Sequence, residues 1–110
     1  MQNKRFDNKV AVITGAAQGI GLRVAERMAE EGGRLVLVDR AEIVHELNEK
    51  LGGVTEVLTL TADLELFADC DRVMAAAKER FGRIDILINN AGGTIWAKPF
   101  ENYDEKQIEA

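Results

Sequence analysis

Four short runs of apolar, mostly β-branched residues punctuate this chain. They occupy residues 9–14 (KVAVIT), 34–39 (RLVLVD), 57–61 (VLTLT) and 84–89 (IDILIN). Each run is close to continuous rather than alternating, which is typical of a strand buried on both faces of a parallel sheet. We therefore predict four strands at the centre of the fold.

Three helices are predicted between these runs, over residues 20–31, 43–51 and 66–81, each followed by glycine. Their apolar faces consist of Ile20, Val24 and Met28 in the first, Ile43, Val44, Leu47 and Leu51 in the second, and Leu66, Cys70, Val73 and Ala77 in the third. The β-α-β-α-β-α-β order predicts an α/β fold, the N-terminal half of a Rossmann-type doubly wound parallel sheet with strand order 3-2-1-4.

The end of the chain departs from this pattern. After Gly92 it predicts a loop that contains Pro99, and from residue 104 the first turns of a further helix. We therefore expect residues 1–110 to form an incomplete domain. The outer edge of the fourth strand is then expected to lack a neighbour, which favours aggregation or poor stability.

Charge and cysteine content narrow the class of protein. The net charge of −5 gives no electrostatic reason to expect a nucleic acid or an anionic membrane as partner. No apolar run is long enough for a membrane span or a signal peptide. Because Cys70 is the only cysteine, no internal disulfide can form, and we expect a cytoplasmic protein.

A glycine-rich turn joins the first predicted strand to the first helix. Gly15 can adopt the tight turn, Gly19 allows the backbone to approach a pyrophosphate, and Gly21 allows the helix to pack closely on the strand. The N–H groups at the start of the helix attract the anion. A turn that merely connects two elements is the alternative, but three further features point to a dinucleotide.

The first feature is Asp39, which ends the second strand 18 residues after Gly21. A carboxylate there accepts hydrogen bonds from the adenosine ribose hydroxyls and repels a 2′-phosphate, so it favours NAD. Arg40 argues for NADP, but the glycine turn itself carries no basic residue. A helix cap or a solvated loop residue is the alternative for Asp39.

The second and third features follow the last two strands. Asp63, followed by Leu64, can cap the third helix and also reach the adenine amino group. Asn89 and Asn90 begin an Asn-Asn-Ala-Gly run at the ligand side of the sheet. Such a run bonds the cofactor, the loop backbone or both, and a purely structural turn is the alternative.

Together these motifs resemble the short-chain dehydrogenase/reductase family, whose TGxxxGxG, acidic strand end, Asp-Leu pair and NNAG motif all occur here in order. The resemblance implies a nicotinamide-dependent oxidoreductase with NAD as cofactor. The expected cofactor contacts are Gly15, Ala17, Gln18, Gly19, Ile20, Gly21, Asp39, Arg40, Ala62, Asp63, Leu64, Asn90, Ala91 and Gly92. No metal is expected, and family members are usually homo-oligomers.

Residues 10–39 and 92–100 are similar to family members that oxidise a cis-diol carboxylate to catechol with release of CO2, which implies a small-molecule substrate of that kind. The family's catalytic Asn, Ser and Tyr-x-x-x-Lys are expected beyond Ala110, so the 110 residues alone are expected to be inactive. The alternatives are an NADPH-dependent 3-oxo (acyl) reductase of the same family and a non-catalytic dinucleotide-binding sensor.

A few other residues invite a role. Trp96 and Lys98 follow the fourth strand and can line a substrate pocket, with a surface loop as the alternative. Tyr103 and Lys106 have the wrong spacing for the catalytic pair, and Tyr103 is expected to be an ordinary residue near a helix start. His45, among carboxylates, is expected to be solvated rather than a metal ligand.

Overall fold

A computed structural model describes residues 5–64 and 66–90, together with the backbone of residues 97–99. Strands and helices alternate as predicted as far as the fourth strand. The elements are β1 Val10–Thr14, α1 Gly19–Glu30, β2 Arg34–Asp39, a 3₁₀ helix Glu42–Glu46, α2 Leu47–Gly52, β3 Val57–Thr61, α3 Phe67–Phe81, β4 Ile86–Ile88 and β5 Ala97–Pro99.

The strands form one sheet with the order β3-β2-β1-β4-β5. The first four strands in this order are parallel, and Val12 in β1 lies between Val36 of β2 and Leu87 of β4. The predicted order 3-2-1-4 is therefore confirmed. Parallel strands all end at the same edge, so the turns that follow β1, β2, β3 and β4 meet there.

Two apolar layers enclose the sheet. Ala11 and Ile13 face the layer that contains α1 and α2, whereas Val10 and Val12 face the layer that contains α3. All five residues of β1 are buried, because successive side chains of a strand point to opposite faces and both faces are covered. This explains why the strand sequences are continuous apolar runs.

The fourth strand has a neighbour on its outer edge, contrary to the prediction of an unpaired edge and of a loop around Pro99. The backbone of Ala97–Pro99 pairs antiparallel with β4, with Ala97 opposite Ile88 and Pro99 opposite Ile86. Proline has no N–H to donate, yet it is accepted on an edge strand. A three-residue strand that contains proline is too short to produce a recognisable hydrophobic period.

The predicted helices are correct in number and approximate position, but their first apolar residues are misassigned. Ile20, Ile43 and Leu66 are more than half exposed, because each lies at a helix start, ahead of the turn that contacts the sheet. The second helix is also not continuous, since a 3₁₀ helix precedes α2. Within the described ranges, no helix is long and apolar enough to cross a bilayer.

Ion pairs hold the amino ends of the strands. The guanidinium of Arg5 donates to both carboxylate oxygens of Glu31, the first residue after α1. The Asp85 carboxylate accepts the N–H of Val10 at 2.9 Å and also pairs with Arg83. The pKa of Glu31 is lowered by the hydrogen bond from Arg5, which outweighs burial. Burial raises the pKa of Asp85, but the bonds from Arg83 and Val10 lower it further, so the net shift is downward.

Candidate functional site

The turn between β1 and α1 is built around two glycines with positive φ. Gly15 has φ of 62° and Gly19 has φ of 64°, in the left-handed region that side chains with a Cβ resist. The N–H of Ala16 donates to the carbonyl of Val38 at 3.1 Å, which ties the turn to β2. A Cβ on Gly21 would collide with the carbonyl oxygen of Gly15, so this glycine permits the close packing that the sequence predicted.

The space in front of the turn fits a pyrophosphate. A Cβ on Gly19 would meet no atom within 4 Å, so the backbone there faces open space. Helix α1 begins at this residue, Gln18 provides no side-chain cap, and the first turn contains no acidic residue. Its N–H groups are therefore available to an anion. Ala17 is partly buried, while Gln18 and Ile20 are exposed around the opening.

Asp39 connects the glycine turn to the loop that follows β2. One carboxylate oxygen accepts the N–H of Ala17 and the other accepts the N–H of Ala41, both at 3.0 Å. Each oxygen retains a second lone pair, so the carboxylate can still accept bonds from the two ribose hydroxyls. The side chain thus stabilises the turn, a role that the sequence did not predict, and remains a candidate ribose ligand.

Asp63, which follows β3, lies next to Arg40, which follows β2, at the carboxyl ends of the strands. Their closest charged atoms, Nη2 and Oδ2, are 4.0 Å apart, and the Asp63 side chain is one-third exposed. The adjoining Ala62 is buried, its N–H bonded to the carbonyl of Asp39, and Leu64 packs against the layer that contains α3. The turns after β2 and β3 therefore meet.

The predicted capping of the third helix by Asp63 is wrong. Helix α3 begins at Phe67, and Leu66 occupies the cap position. The carbonyl of Asp63 accepts the N–H of Leu66, and its own N–H donates to Asp69 at 2.8 Å. Three residues separate Asp63 from Phe67, the first residue of the helix, so Asp63 lies too early in the chain to cap it.

The Asn pair after β4 is bonded to the glycine turn. The hydroxyl of Thr14 donates to Oδ1 of Asn89 and accepts the N–H of Asn90, both at 2.9 Å. The Nδ2 of Asn90 donates to the carbonyl of Gly15 at 3.3 Å. These bonds give the pair a structural role in shaping the turn. The expected contacts Ala91 and Gly92 lie outside the described residues.

The remaining candidates lie elsewhere. His45 is half-exposed, and its Nδ1 lies 2.8 Å from the hydroxyl of the buried Thr59, while Cys70 is buried as expected. No group of three metal-ligating side chains occurs among the residues that the structure describes. The side chains of Trp96, Lys98, Tyr103 and Lys106 lie outside them.

Two residues near the site were missed from the sequence. Asp69 accepts the N–H of Asp63, and Arg72 donates to the carbonyl of Thr61 at 2.8 Å. Both lie in the first two turns of α3, facing the segment that follows β3. The sequence did offer one signal: Asp69 is an acidic residue in the first turn of α3, six residues after the expected ligand Asp63.

Comparison with known proteins places these motifs in a family. The family model described as short chain dehydrogenase matches residues 9–110. A 1,6-dihydroxycyclohexa-2,4-diene-1-carboxylate dehydrogenase from Pseudomonas putida is 79% identical over 108 residues, which cover 98% of this chain and 40% of that protein. The chain thus spans well under half the length of this curated relative.

Solved structures agree with the fold. A short chain dehydrogenase/reductase from Burkholderia phymatum in complex with NAD is 38% identical, with a TM-score of 0.72 over 74% of this chain and 30% of that one. The Pseudomonas aeruginosa RhlG/NADP complex is 31% identical, with a TM-score of 0.74 over 81% of this chain and 36% of that one. Nicotinamide dinucleotides of both kinds therefore occur among the relatives, and this chain belongs to the short-chain dehydrogenase/reductase family of oxidoreductases.

Proposed function

We propose that this chain is the cofactor-binding segment of an NAD-dependent dehydrogenase that oxidises a cis-dihydrodiol carboxylate to catechol with release of CO2. The observation that carries the choice of NAD is the Asp39 carboxylate, held against the glycine turn by the N–H of Ala17. An anionic side chain at this point accepts bonds from vicinal ribose hydroxyls and repels a 2′-phosphate.

The residues on this edge divide the work of holding the dinucleotide. Gly19 and the uncapped start of α1 bind the pyrophosphate. Asp39 orients the adenosine ribose, and Asp63 accepts the amino group of adenine. Asn90, bonded to Thr14 and Gly15, maintains the shape of the turn and borders the path toward the nicotinamide. The protein's contribution in this segment is binding and orientation.

The substrate class comes from the relative in Pseudomonas putida, whose name specifies a cyclohexadiene diol carboxylate. NAD⁺, when bound, supplies the hydride acceptor for oxidising the secondary alcohol to a ketone, and the β-keto acid so formed loses CO2 to give catechol. A tyrosine beyond Ala110 is expected to remove the hydroxyl proton. This substrate assignment is supported by the 79% identity, which is far above the likeness to the solved structures.

Cofactor choice is tested by equilibrium titration of the 110-residue chain with NADH and NADPH. We expect NADH to bind at least about tenfold more tightly, because the Asp39 carboxylate repels the extra phosphate. Asp39→Asn removes that charge and retains one acceptor oxygen, so it should reduce the preference for NADH over NADPH. Arg40→Gln is the matched control and should leave the preference for NADH in place. Tighter binding of NADPH to the unaltered chain would contradict the proposal and favour the oxo-reductase alternative.

The reaction is tested on the protein formed when this chain is continued through the coding sequence that follows Ala110. That protein should reduce NAD⁺ with the cis-diol carboxylate and release CO2, whereas the 110 residues alone should give no turnover. A Tyr-x-x-x-Lys in the continuation would support an enzyme, and its absence would support the dinucleotide-sensor alternative. Turnover by the 110 residues would refute the assignment of the catalytic groups to the later part.

A further inference from the structure

Residues 61–63, at the carboxyl end of β3, are held by three hydrogen bonds. The N–H of Ala62 donates to the carbonyl of Asp39, which is the last residue of β2. The carbonyl of Thr61 accepts a bond from Arg72 at 2.8 Å, and the N–H of Asp63 donates to Asp69 at 2.8 Å. Two of these three contacts therefore come from side chains of one helix, α3.

Asp69 and Arg72 also pair with each other. The Oδ1 of Asp69 lies 3.7 Å from the Nη2 of Arg72, at the i,i+3 spacing of one helix face. One oxygen of the carboxylate thus faces the arginine, while the other accepts the backbone N–H. The pair joins both ends of the Thr61–Asp63 segment to α3, and this restricts the direction in which the Asp63 side chain can project.

We propose that Asp69 and Arg72 are positioning residues that set the adenine specificity of the site by fixing Asp63. This inference rests on the proposed function, in which the Asp63 carboxylate accepts the adenine amino group. The Asp63 side chain is one-third exposed, and its Oδ2 already lies 4.0 Å from the Nη2 of Arg40, so the position of its backbone decides whether the carboxylate draws closer to that guanidinium or meets the adenine. Asp69 and Arg72 keep the carboxylate directed to the adenine position.

The probe is a pair of dinucleotides whose purine bases differ at the 6-position and, as a consequence, in the proton carried by N1. NAD⁺ presents an amino group, whereas nicotinamide hypoxanthine dinucleotide presents a carbonyl oxygen, which a carboxylate repels. Calorimetric titration of the 110-residue chain should show NAD⁺ bound about tenfold more tightly, the size expected for one hydrogen bond to a charged group. This ratio reports the placement of Asp63 and not the overall stability of the fold.

Asp69→Ala should lower the ratio to below about threefold, because the N–H of Asp63 loses its acceptor. Asp69→Asn retains an acceptor oxygen and should restore a ratio close to that of the unaltered chain. Asp71→Ala, which removes an exposed carboxylate from the same helix, is the matched control and should leave the ratio unchanged. Arg72→Ala should lower the ratio as well, and it carries the test if Asp69→Ala does not fold.

The outcomes separate the two proposals. A chain that binds neither dinucleotide refutes the proposed function itself. A chain that binds both equally well leaves cofactor binding intact and overturns the inference, because Asp63 then makes no adenine contact. If Asp69→Ala weakens the binding of both dinucleotides equally, so that their ratio is constant, Asp69 has a purely structural role and the inference is again overturned.

Discussion

The two ends of the parallel strands use the same kind of bond for different purposes. At the amino ends, carboxylates are neutralised by arginine, as in Asp85 with Arg83 and in Glu31 with Arg5, and Asp85 also accepts a backbone N–H. At the carboxyl ends, Asp39 accepts only backbone N–H groups in the bonds that the structure shows. Its charge remains available to a ligand, whereas the charges at the opposite edge are already paired.

This difference separates stability from binding. Changes at the amino ends should alter the free energy of unfolding with little effect on the affinity of the folded protein for a dinucleotide. Changes at the carboxyl ends should alter both, because the same hydrogen bonds shape the turn and present it to the ligand. The five predictions below test this division, beginning with the largest effect.

Gly21→Ala should have the largest effect on stability. Its Cβ would be forced into the carbonyl of Gly15 and against the Nδ2 of Asn90 at 2.8 Å. Helix α1 must move away from β1, at a cost of about 3 kcal/mol or more. Urea unfolding followed by circular dichroism should show a strongly lowered midpoint or no folded state.

Gly19→Ala is the comparison within the same turn. Its Cβ enters open space, so the main cost is the positive φ of 64°, about 1 kcal/mol. The added methyl group occupies the position proposed for the pyrophosphate, and dinucleotide affinity should fall more than stability does. If the Gly19→Ala chain binds NADH as tightly as the unaltered chain, the pyrophosphate does not bind at this position.

Thr14→Val should have the second largest effect on stability, after Gly21→Ala. The buried Thr14 hydroxyl bonds to both Asn89 and Asn90, and valine keeps the shape of threonine but makes neither bond. The expected loss is about 2 to 3 kcal/mol, together with weaker NADH binding because the carbonyl of Gly15 is held by Asn90. If stability falls but the folded protein binds NADH as tightly as before, the hydrogen bonds of Thr14 to the Asn pair serve only the structure and not binding.

The sequence predicted the sheet better than it predicted the site. Burial on both faces produces apolar runs such as residues 34–39 that cannot be confused with a surface strand. The glycine turn and Asp39 were expected as cofactor contacts because that chemistry requires those residue types. The dual bonding of Asp39 to Ala17 and Ala41 could not be found, since it depends on how two separate turns approach each other.

The errors share a physical origin. Ile20 and Leu66 fit the helical period but lie beyond the contact with the sheet, and a period cannot show where that contact starts. Asp69 and Arg72 act through the backbone of Thr61 and Asp63. Bonds to the backbone leave no pattern of matching side chains, so only the folded geometry reveals them.

At the amino ends, Asp85→Ala should lower stability by about 1 to 2 kcal/mol, because the N–H of the buried Val10 loses its acceptor. Arg83→Gln removes only the half-exposed partner of the ion pair and should cost less than about 1 kcal/mol. Chemical denaturation of both variants, with NADH titration of the folded protein, checks this. A marked loss of NADH affinity in Asp85→Ala would break the proposed division between the two ends.

The smallest effect should be a change in acid sensitivity at Glu31. Its folded-state pKa lies below the ordinary value of 4.5 because Arg5 donates to the carboxylate. The contribution to stability is therefore present above pH 4.5 and is lost as the pH falls through the lowered pKa. Glu31→Gln should be less stable than the unaltered chain at pH 7, and the gap should narrow on acidification below pH 4.5. Glu30→Gln, which alters the exposed neighbouring carboxylate, is the control and should show no such convergence. If the stability of Glu31→Gln and that of the unaltered chain stay a constant distance apart as the pH falls, the ion pair does not link protonation to folding.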